Sequence, residues 1–508
     1  MRGASAHGLS NLLCAAVLLL GSAGFAAEGD APPEDGRTPS SWTLPAPDSC
    51  QPEGGLRAPE AQQDAPPVAL EPGDTFAVNQ LDTLRNFLPP AVWEYRERFF
   101  YEGMRLEIGA CFADYSPPDF FQAATAENAG KATLSKDGGL GDYVAGLPFP
   151  PDRIDPADPE AGREWAWDFE LRYQGAGFWG KFRTADMVGR DGRGEPFVGE
   201  IFKVQTSFRS DRADSGYSVP GAKDDHWVAG GQLFEPFDAR HYSWRQYRSV
   251  DHMDQPGRSD DVHAYLPNFR RVRRVAAADV EGLYMPSFSV GVVQPTALAV
   301  VGGAADGGGG GGGSGVGGVA SAASSITTKR SGFEGLEMRP LLYDFSLLGV
   351  QDVLTPINAS TPAYPTDPER EFGPWGLSFA SDRWDLRRAV VIEGRAKGTR
   401  SADQVARFVL YLDAQTQSPL YYASWDARDE QIDVGLHVGR WSEKREDYRP
   451  WPDDGKRAVR VIDPVGAAYA NILEGGGWRR ESWDIVATPP DDAAVKRQLS
   501  VSNLTKRH

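Results

Sequence analysis

The chain is poor in the residues that most often carry chemistry. It has three cysteines and seven histidines among 508 residues. No CxxC pair and no Cys/His spacing of a zinc site occurs. The GxSxG elbow, the Walker loop, HExxH and the EF-hand loop are also absent. Catalytic triads assemble in space rather than along a chain, so these absences weigh against an enzyme without excluding one. Positive charge is scarce too: 53 Lys and Arg against 71 Asp and Glu give a formal charge of −18. That balance repels nucleic acid and argues against a broad grip on anionic lipid.

Long apolar runs are missing beyond the N-terminus. The stretch 289–301 is interrupted by Gln294 and Pro295. The one apolar core, Leu12 to Leu20, follows Arg2 and leads to small residues ending at Ala26. This is the pattern of an export signal cleaved after Ala26, and the run is short for a membrane anchor. Cys14 raises a third possibility, lipid attachment, but Leu13 before it is too large. The expectation is a signal peptide over 1–26 and a periplasmic chain with no membrane span. Cys50 and Cys111 then remain, and an oxidising compartment would allow them to pair. The sequence leaves that pairing open.

Residues 27–74 are rich in Pro, Ala, Glu, Asp and Gln and are expected to form an extended leader. The main domain is expected over 75–487, with a C-terminal tail over 488–508. A glycine-rich insertion, 302–325, contains seven consecutive glycines from Gly307 to Gly313. Its formal GxGxxG match has no strand before it and no helix after it, so it is read as a flexible loop. Leu81 to Leu88 and Ala91 to Tyr101 read as short helices split by Pro89-Pro90. Ser116 is expected to cap a third, with Pro117 in its first position and Gly130 at its end.

From Trp165 onward the dominant period is two. Trp165, Trp167, Phe169, Leu171 and Tyr173 alternate with Ala166, Asp168, Glu170 and Arg172. Phe202, Val204, Thr206 and Phe208 do the same, as do Phe408, Leu410 and Leu412, and Ile432, Val434, Leu436 and Val438. Such alternation predicts antiparallel strands with one buried and one wet face. Val262 to Val275, VHAYLPNFRRVRRV, predicts a strand, a Pro267-Asn268 turn and an arginine-studded strand. Arg270, Arg271, Arg273 and Arg274 would give the sheet a basic edge. Their bland role is to block edge-to-edge pairing; the functional one is docking of an acidic partner or a headgroup phosphate.

Several ordered segments resemble a family of uncharacterised proteobacterial envelope proteins, with Val262–Val275 the most telling. The others are Ser116–Gly130, Tyr143–Pro150, Asp155–Phe169, Ser331–Asn358 and Arg407–Gln431. That family is related to the LolA and LolB lipoprotein carriers and often bears the label "outer membrane lipoprotein-sorting protein". The resemblance implies an α+β, mainly antiparallel fold: a LolA/LolB-like curved sheet or incomplete β-barrel with a few covering helices.

The resemblance also implies a cavity for a hydrophobic ligand such as a lipid or acyl chain. Its candidate lining is Trp165, Trp167, Phe169, Leu171, Tyr173, Phe202, Val204, Phe208, Trp244, Phe408, Leu410, Leu412, Val434 and Leu436. The helices at Leu81–Tyr101 or Pro117–Asn128 would be the lid. Relatives suggest a resistance-nodulation-division-type exporter or an outer-membrane protein as partner. No cofactor or metal is expected.

His226, His241, His252 and His263 cluster in sequence beside acids, but their spacings match no local ligand pattern. They read as polar outer-face and loop residues. The alternatives to a carrier are an accessory subunit of an envelope transporter that binds no ligand, and a hydrolase of hydrophobic esters using His241, His252 or His263.

Overall fold

The structure is a computed structural model. It describes Trp42, Leu44, Cys50 and residues 69–505, apart from 192–195, 213–215, 223, 276–281, 286–336, 361–369, 400–403, 445–458 and 488–491. The signal peptide and the glycine-rich insertion therefore lie outside the described residues.

The strands in chain order are β1 (Thr75–Phe76), β2 (Leu106–Cys111), β3 (Thr133–Leu134), β4 (Leu140–Gly141), β5 (Gly177–Met187), β6 (Pro196–Gln205), β7 (Asp225–Glu235) and β8 (Ser243–Ser249). They continue with β9 (Asp261–Leu266), β10 (Arg271–Val275), β11 (Tyr343–Thr355), β12 (Arg383–Ala396), β13 (Arg407–Asp413), β14 (Pro419–Trp425), β15 (Gln431–Trp441), β16 (Ile462–Asn471) and β17 (Gly477–Val486). All but β3 and β4 form one large curved sheet of fifteen strands. Its order is β1-β2-β12-β13-β14-β15-β16-β17-β5-β6-β7-β8-β9-β10, with β11 also on β12. Every pairing is antiparallel except β2 with β12. Among the described residues the order does not close on itself. The architecture is thus an open curved sheet rather than a closed barrel.

The helices are α1 (Pro90–Glu94), α2 (Arg96–Phe99), α3 (Asp119–Asn128), α4 (Ala161–Glu170) and α5 (Asp492–Leu499). A 3-10 segment over Val78–Phe87 precedes α1. Proline explains two of the starts, because its fixed φ suits a first helical turn: Pro90 opens α1 and Pro118 precedes α3. Ser116 does not cap α3; its hydroxyl donates instead to Asp114 at 2.5 Å. Gly130, with φ +82°, does terminate that helix as expected. No helix among the described residues is long and apolar enough to cross a membrane.

The alternation from Trp165 to Tyr173 does not mark a strand. Residues up to Glu170 belong to α4. Period two and period 3.6 share the i, i+4 positions, and here nearly every face of the helix is buried, so polarity ceases to report exposure. Trp165 and Phe169 pack with Phe408 and Leu410, while Trp167 and Leu171 pack with Leu140 and Met253. The intervening acids are buried and bonded. Asp168 accepts from the Phe149 N–H at 3.0 Å, and Glu170 from the Met338 N–H at 2.7 Å.

The central strands are covered on both faces, so the expected wet face is missing there. Phe408, Leu410 and Leu412 of β13 join the α4 side, whereas Val409 and Tyr411 join the opposite core. Leu81, Leu84, Phe87 and Val92 cover that opposite core. On β15 even Asp433 and His437, which alternate with Ile432, Val434, Leu436 and Val438, are buried. The predicted strand through Phe208 ends earlier, at Gln205, and Phe208 takes a left-handed φ of 59°.

The leader and the tail both take part in the fold. Cys50 and Cys111 form a disulfide that ties the leader to β2. Trp42 is buried edge-on against Trp165, with ring centroids 5.3 Å apart. At the other terminus Val495 of α5 and Leu504 are buried. Ser243 and Tyr247 of β8 donate hydroxyl bonds to the Leu504 and Leu499 carbonyls at 3.1 and 2.8 Å.

Candidate functional site

On strands β6 to β8, successive side chains point to opposite faces of the sheet. Ile201, Trp227 and Trp244 enter the main core. Phe202, Val204 and Val228 face the other way and meet Val495 of α5. The C-terminal segment does not cover this outer face completely. A cleft of about 270 Å³ remains, walled by Trp179, Ile201, Phe202, Arg245, Gln498 and Leu504. That volume lies near the lower end of small-molecule sites.

The cleft sets an aromatic wall beside one buried cation, Arg245, with Lys181, Glu200 and Asp484 also on its lining. Trp179 stacks on Phe202 with 14° between planes. The Arg245 guanidinium lies 4.7 Å from the Phe202 ring centroid. Arg245 is 6% exposed. It donates to the Trp244 carbonyl at 2.8 Å, the Gln498 carbonyl at 3.2 Å and the Gln498 side-chain oxygen at 2.8 Å. No carboxylate lies within ion-pair distance of it among the described residues. Burial pushes its pKa down to about 10, outweighing Tyr247 and Glu200, which raise it; Glu200 also lines the cleft. A guanidinium is the kind of group that can take a carboxylate or phosphate.

A second polar assembly lies in the interior. Arg248 donates to Glu170 at 2.9 Å and forks onto Asp260 at 2.9 and 3.1 Å. Lys203 pairs with Glu337. His226 and His252 stack within this assembly, with ring centroids 5.3 Å apart and 7° between planes. Burial lowers both imidazoles well below their ordinary range and, outweighing Arg248, raises Glu170 to about 7. These two histidines are therefore core groups rather than outer-face residues. His241 lies instead beside Gln232 and His263 against Tyr247, so the histidines considered for hydrolysis are not brought together.

The candidate lining residues are likewise dispersed. Trp165, Phe169, Phe408, Leu410 and Leu412 belong to the core on the α4 side. Trp244, Val434 and Leu436 belong to the opposite one. Trp167, Leu171 and Phe208 pack in a third cluster, Tyr173 in a fourth, and Phe202 and Val204 in a fifth. Of all of them only Phe202 lines the cleft. Another cavity, beside His437 and Leu420, measures about 40 Å³, room for ordered water but not for an acyl chain. Sequence reasoning missed Arg245, whose one visible signal was a cation inside an aromatic strand.

The arginine strand is where the sequence placed it. β10 is the last strand of the sheet and pairs with β9 in an antiparallel hairpin. Arg270 takes the left-handed turn position at φ 50°. Arg271, Arg273 and Arg274 are exposed; Arg274 pairs with Asp261, and Arg273 lies 5.8 Å from the Phe269 ring centroid.

The fold and its edge match a known family. A family model described as protein of unknown function DUF1329 matches residues 79–285 and 320–444, and the chain belongs to that family. Among solved structures, the chain is similar to an outer membrane lipoprotein-sorting protein domain from Vibrio parahaemolyticus at 11% identity and a TM-score of 0.38, covering 69% of this chain and 100% of that one. It is similar to a DUF1329 family protein from Desulfovibrio piger at 13% identity and a TM-score of 0.38, covering 68% and 100%. A LolA superfamily protein from Nitrosomonas europaea matches at 11% identity and a TM-score of 0.29, covering 66% and 95%. No curated protein matches the chain.

Proposed function

We propose that the chain is an envelope binding protein that carries an amphipathic ligand, an apolar chain ending in an anionic head. The supporting observation is Arg245, which has no ion pair among the described residues, beside the Trp179–Phe202 wall of the cleft. In this reading the head pairs with Arg245 and the apolar part lies on the aromatic wall. Apolar burial there would contribute about 25 cal/mol per Å² removed from water. The lid is α5 with the turn after it, in place of the helices at 81–101 and 117–128, whose apolar faces pack into the fold. The expected setting is the periplasm after signal cleavage. The arginine strand at the sheet edge is the proposed dock for an exporter of the resistance-nodulation-division type or an outer-membrane protein.

The test is displacement of a fluorescent fatty acid from the full exported chain. Binding should weaken about tenfold or more in Arg245→Gln, the loss of one charged hydrogen-bonding partner. It should vanish in Gln498→Trp, which fills the mouth. Equal binding by all three proteins would overturn the reading.

The filled core favours a second reading, an accessory subunit that binds no ligand. A folded wild-type chain that takes up neither fatty acid nor sterol probes would select it.

A further inference from the structure

The chemistry at the stacked histidines extends beyond ligand carriage. Glu170 ends α4, His226 lies at the start of β7, and His252 lies in the 3-10 turn Val250–Met253 that follows β8. One ligand atom from each of the three lies within 4.8 Å of the others, and all three side chains are buried. His226 Nδ1 and His252 Nε2 have no hydrogen-bond partner among the described residues. Leaving two buried ring nitrogens unpartnered is costly.

The tautomer of His252 sharpens the point. Its Nδ1 lies 2.8 Å from the Ser249 carbonyl, which can only accept, so Nδ1 carries the hydrogen. In the neutral ring Nε2 is then a bare lone pair. It faces Glu170 Oε1 at 3.6 Å. That carboxylate already accepts from Arg248 and from the Met338 N–H, both of which favour its ionised form. With Glu170 ionised, two electron-rich atoms confront one another in the interior; burial and Glu337 oppose that ionisation and raise Glu170 to about 7, so a proton is the competing occupant. A cation between them removes the conflict. Histidine ligands commonly donate their second ring N–H to a backbone carbonyl, as His252 does to Ser249.

We propose that Glu170, His226 and His252 form a binding site for a divalent first-row transition ion such as Zn²⁺. Two imidazoles and a carboxylate suit that class, and they leave a fourth position for water. Tetrahedral ligation needs ligand atoms about 3.4 Å apart, so atoms within 4.8 Å of one another must close by at most about 1.4 Å. The stacked rings hold their lone pairs in nearly parallel planes, so one imidazole must also rotate for both to meet a shared ion. Four cations, Arg248, Lys203, Arg172 and Arg339, surround the site with Glu337 and Asp260, so with Glu170 the group carries one net positive charge that a bound ion must overcome. The bound ion would clasp the end of α4 to the β7–β8 side of the sheet, joining segments that no covalent bond holds.

The test uses the tag-free, chelator-treated full exported chain, titrated with Zn²⁺ and with Co²⁺ as a spectroscopic probe. One ion per chain is expected, with d–d absorption of a low-coordinate Co²⁺ site. His226→Ala and His252→Ala should each weaken Co²⁺ by about 100-fold. His241→Ala and His263→Ala should leave it unchanged. If the first two variants do not fold, zinc-edge X-ray absorption of the wild type decides, with two imidazoles and oxygen expected. No uptake by the folded wild type, uptake insensitive to His226 and His252, or a shell without imidazole would each overturn the proposal. The first of these would assign the gap to a buried water or a shared proton.

Discussion

The middle of the sheet and its β8–β10 flank are built from similar residues and have opposite characters. In β12 to β15 both faces are covered, so Arg387, Asp413, Asp433 and His437 are all buried. On the flank, β8 turns one face to the core and the other to a cleft, and β10 presents its arginines to solvent. An arginine in the middle is an internal strut: Arg387 forks onto Asp413 at 2.7 and 3.2 Å. Arg245 on the flank donates, among the described residues, to carbonyl oxygens and to no carboxylate, which is why it is proposed to meet a ligand. The contrast teaches that chain-wide hydrophobic alternation locates the scaffold, whereas the site lies where one layer of cover stops.

This comparison can be broken in several places. The largest effect is expected at the centre. Arg387→Met should leave Asp413 as a buried lone charge and cost about 3–5 kcal/mol in urea unfolding. A cost under about 1 kcal/mol would mean the centre is less sealed than described. Cys50→Ser opens a loop of 61 residues and should cost about 2–4 kcal/mol, matched by adding reductant to the wild type.

His437 should reveal the buried centre through pH. Burial, aided by Arg480 and Arg172, lowers its pKa to about 3, below the unfolded value of about 6.5. The unfolded chain thus takes up a proton that the folded chain refuses. Relative to His437→Gln, the wild type should lose about 1.4 kcal/mol per pH unit as pH falls below about 6.5, levelling near 3. A pH-independent difference would contradict the burial of this ring. The smallest effect is expected at the edge. Arg271→Ser with Arg273→Ser should change stability by under about 0.5 kcal/mol, since both side chains are exposed. Any partner that docks on the strand should nevertheless bind that variant more weakly.

Much of the fold is legible in the sequence. The turn at Pro267-Asn268, the arginine strand and the strands holding Phe408 and Val434 follow from local pattern, because proline geometry and side-chain alternation are local. The α4 segment was not legible, since a helix buried on all sides loses the polar stripe that distinguishes it from a strand. Nor was the packing of Trp42, Cys50 and Leu504, whose partners are distant in sequence. The site was harder still. Phe202 stood among the candidates, but nothing local separates Arg245, which has no ion pair among the described residues, from Arg248, which has Asp260 and Glu170. That distinction is made only by tertiary neighbours.

The most direct measurement is native mass spectrometry of the full chain purified from the periplasm without detergent, with organic extraction of what accompanies it. The account predicts a stoichiometric amphipathic acid or phosphate ester on the wild type, lost from folded Arg245→Gln. A clean unliganded mass for the wild type, or an adduct that persists undiminished in Arg245→Gln, would contradict it.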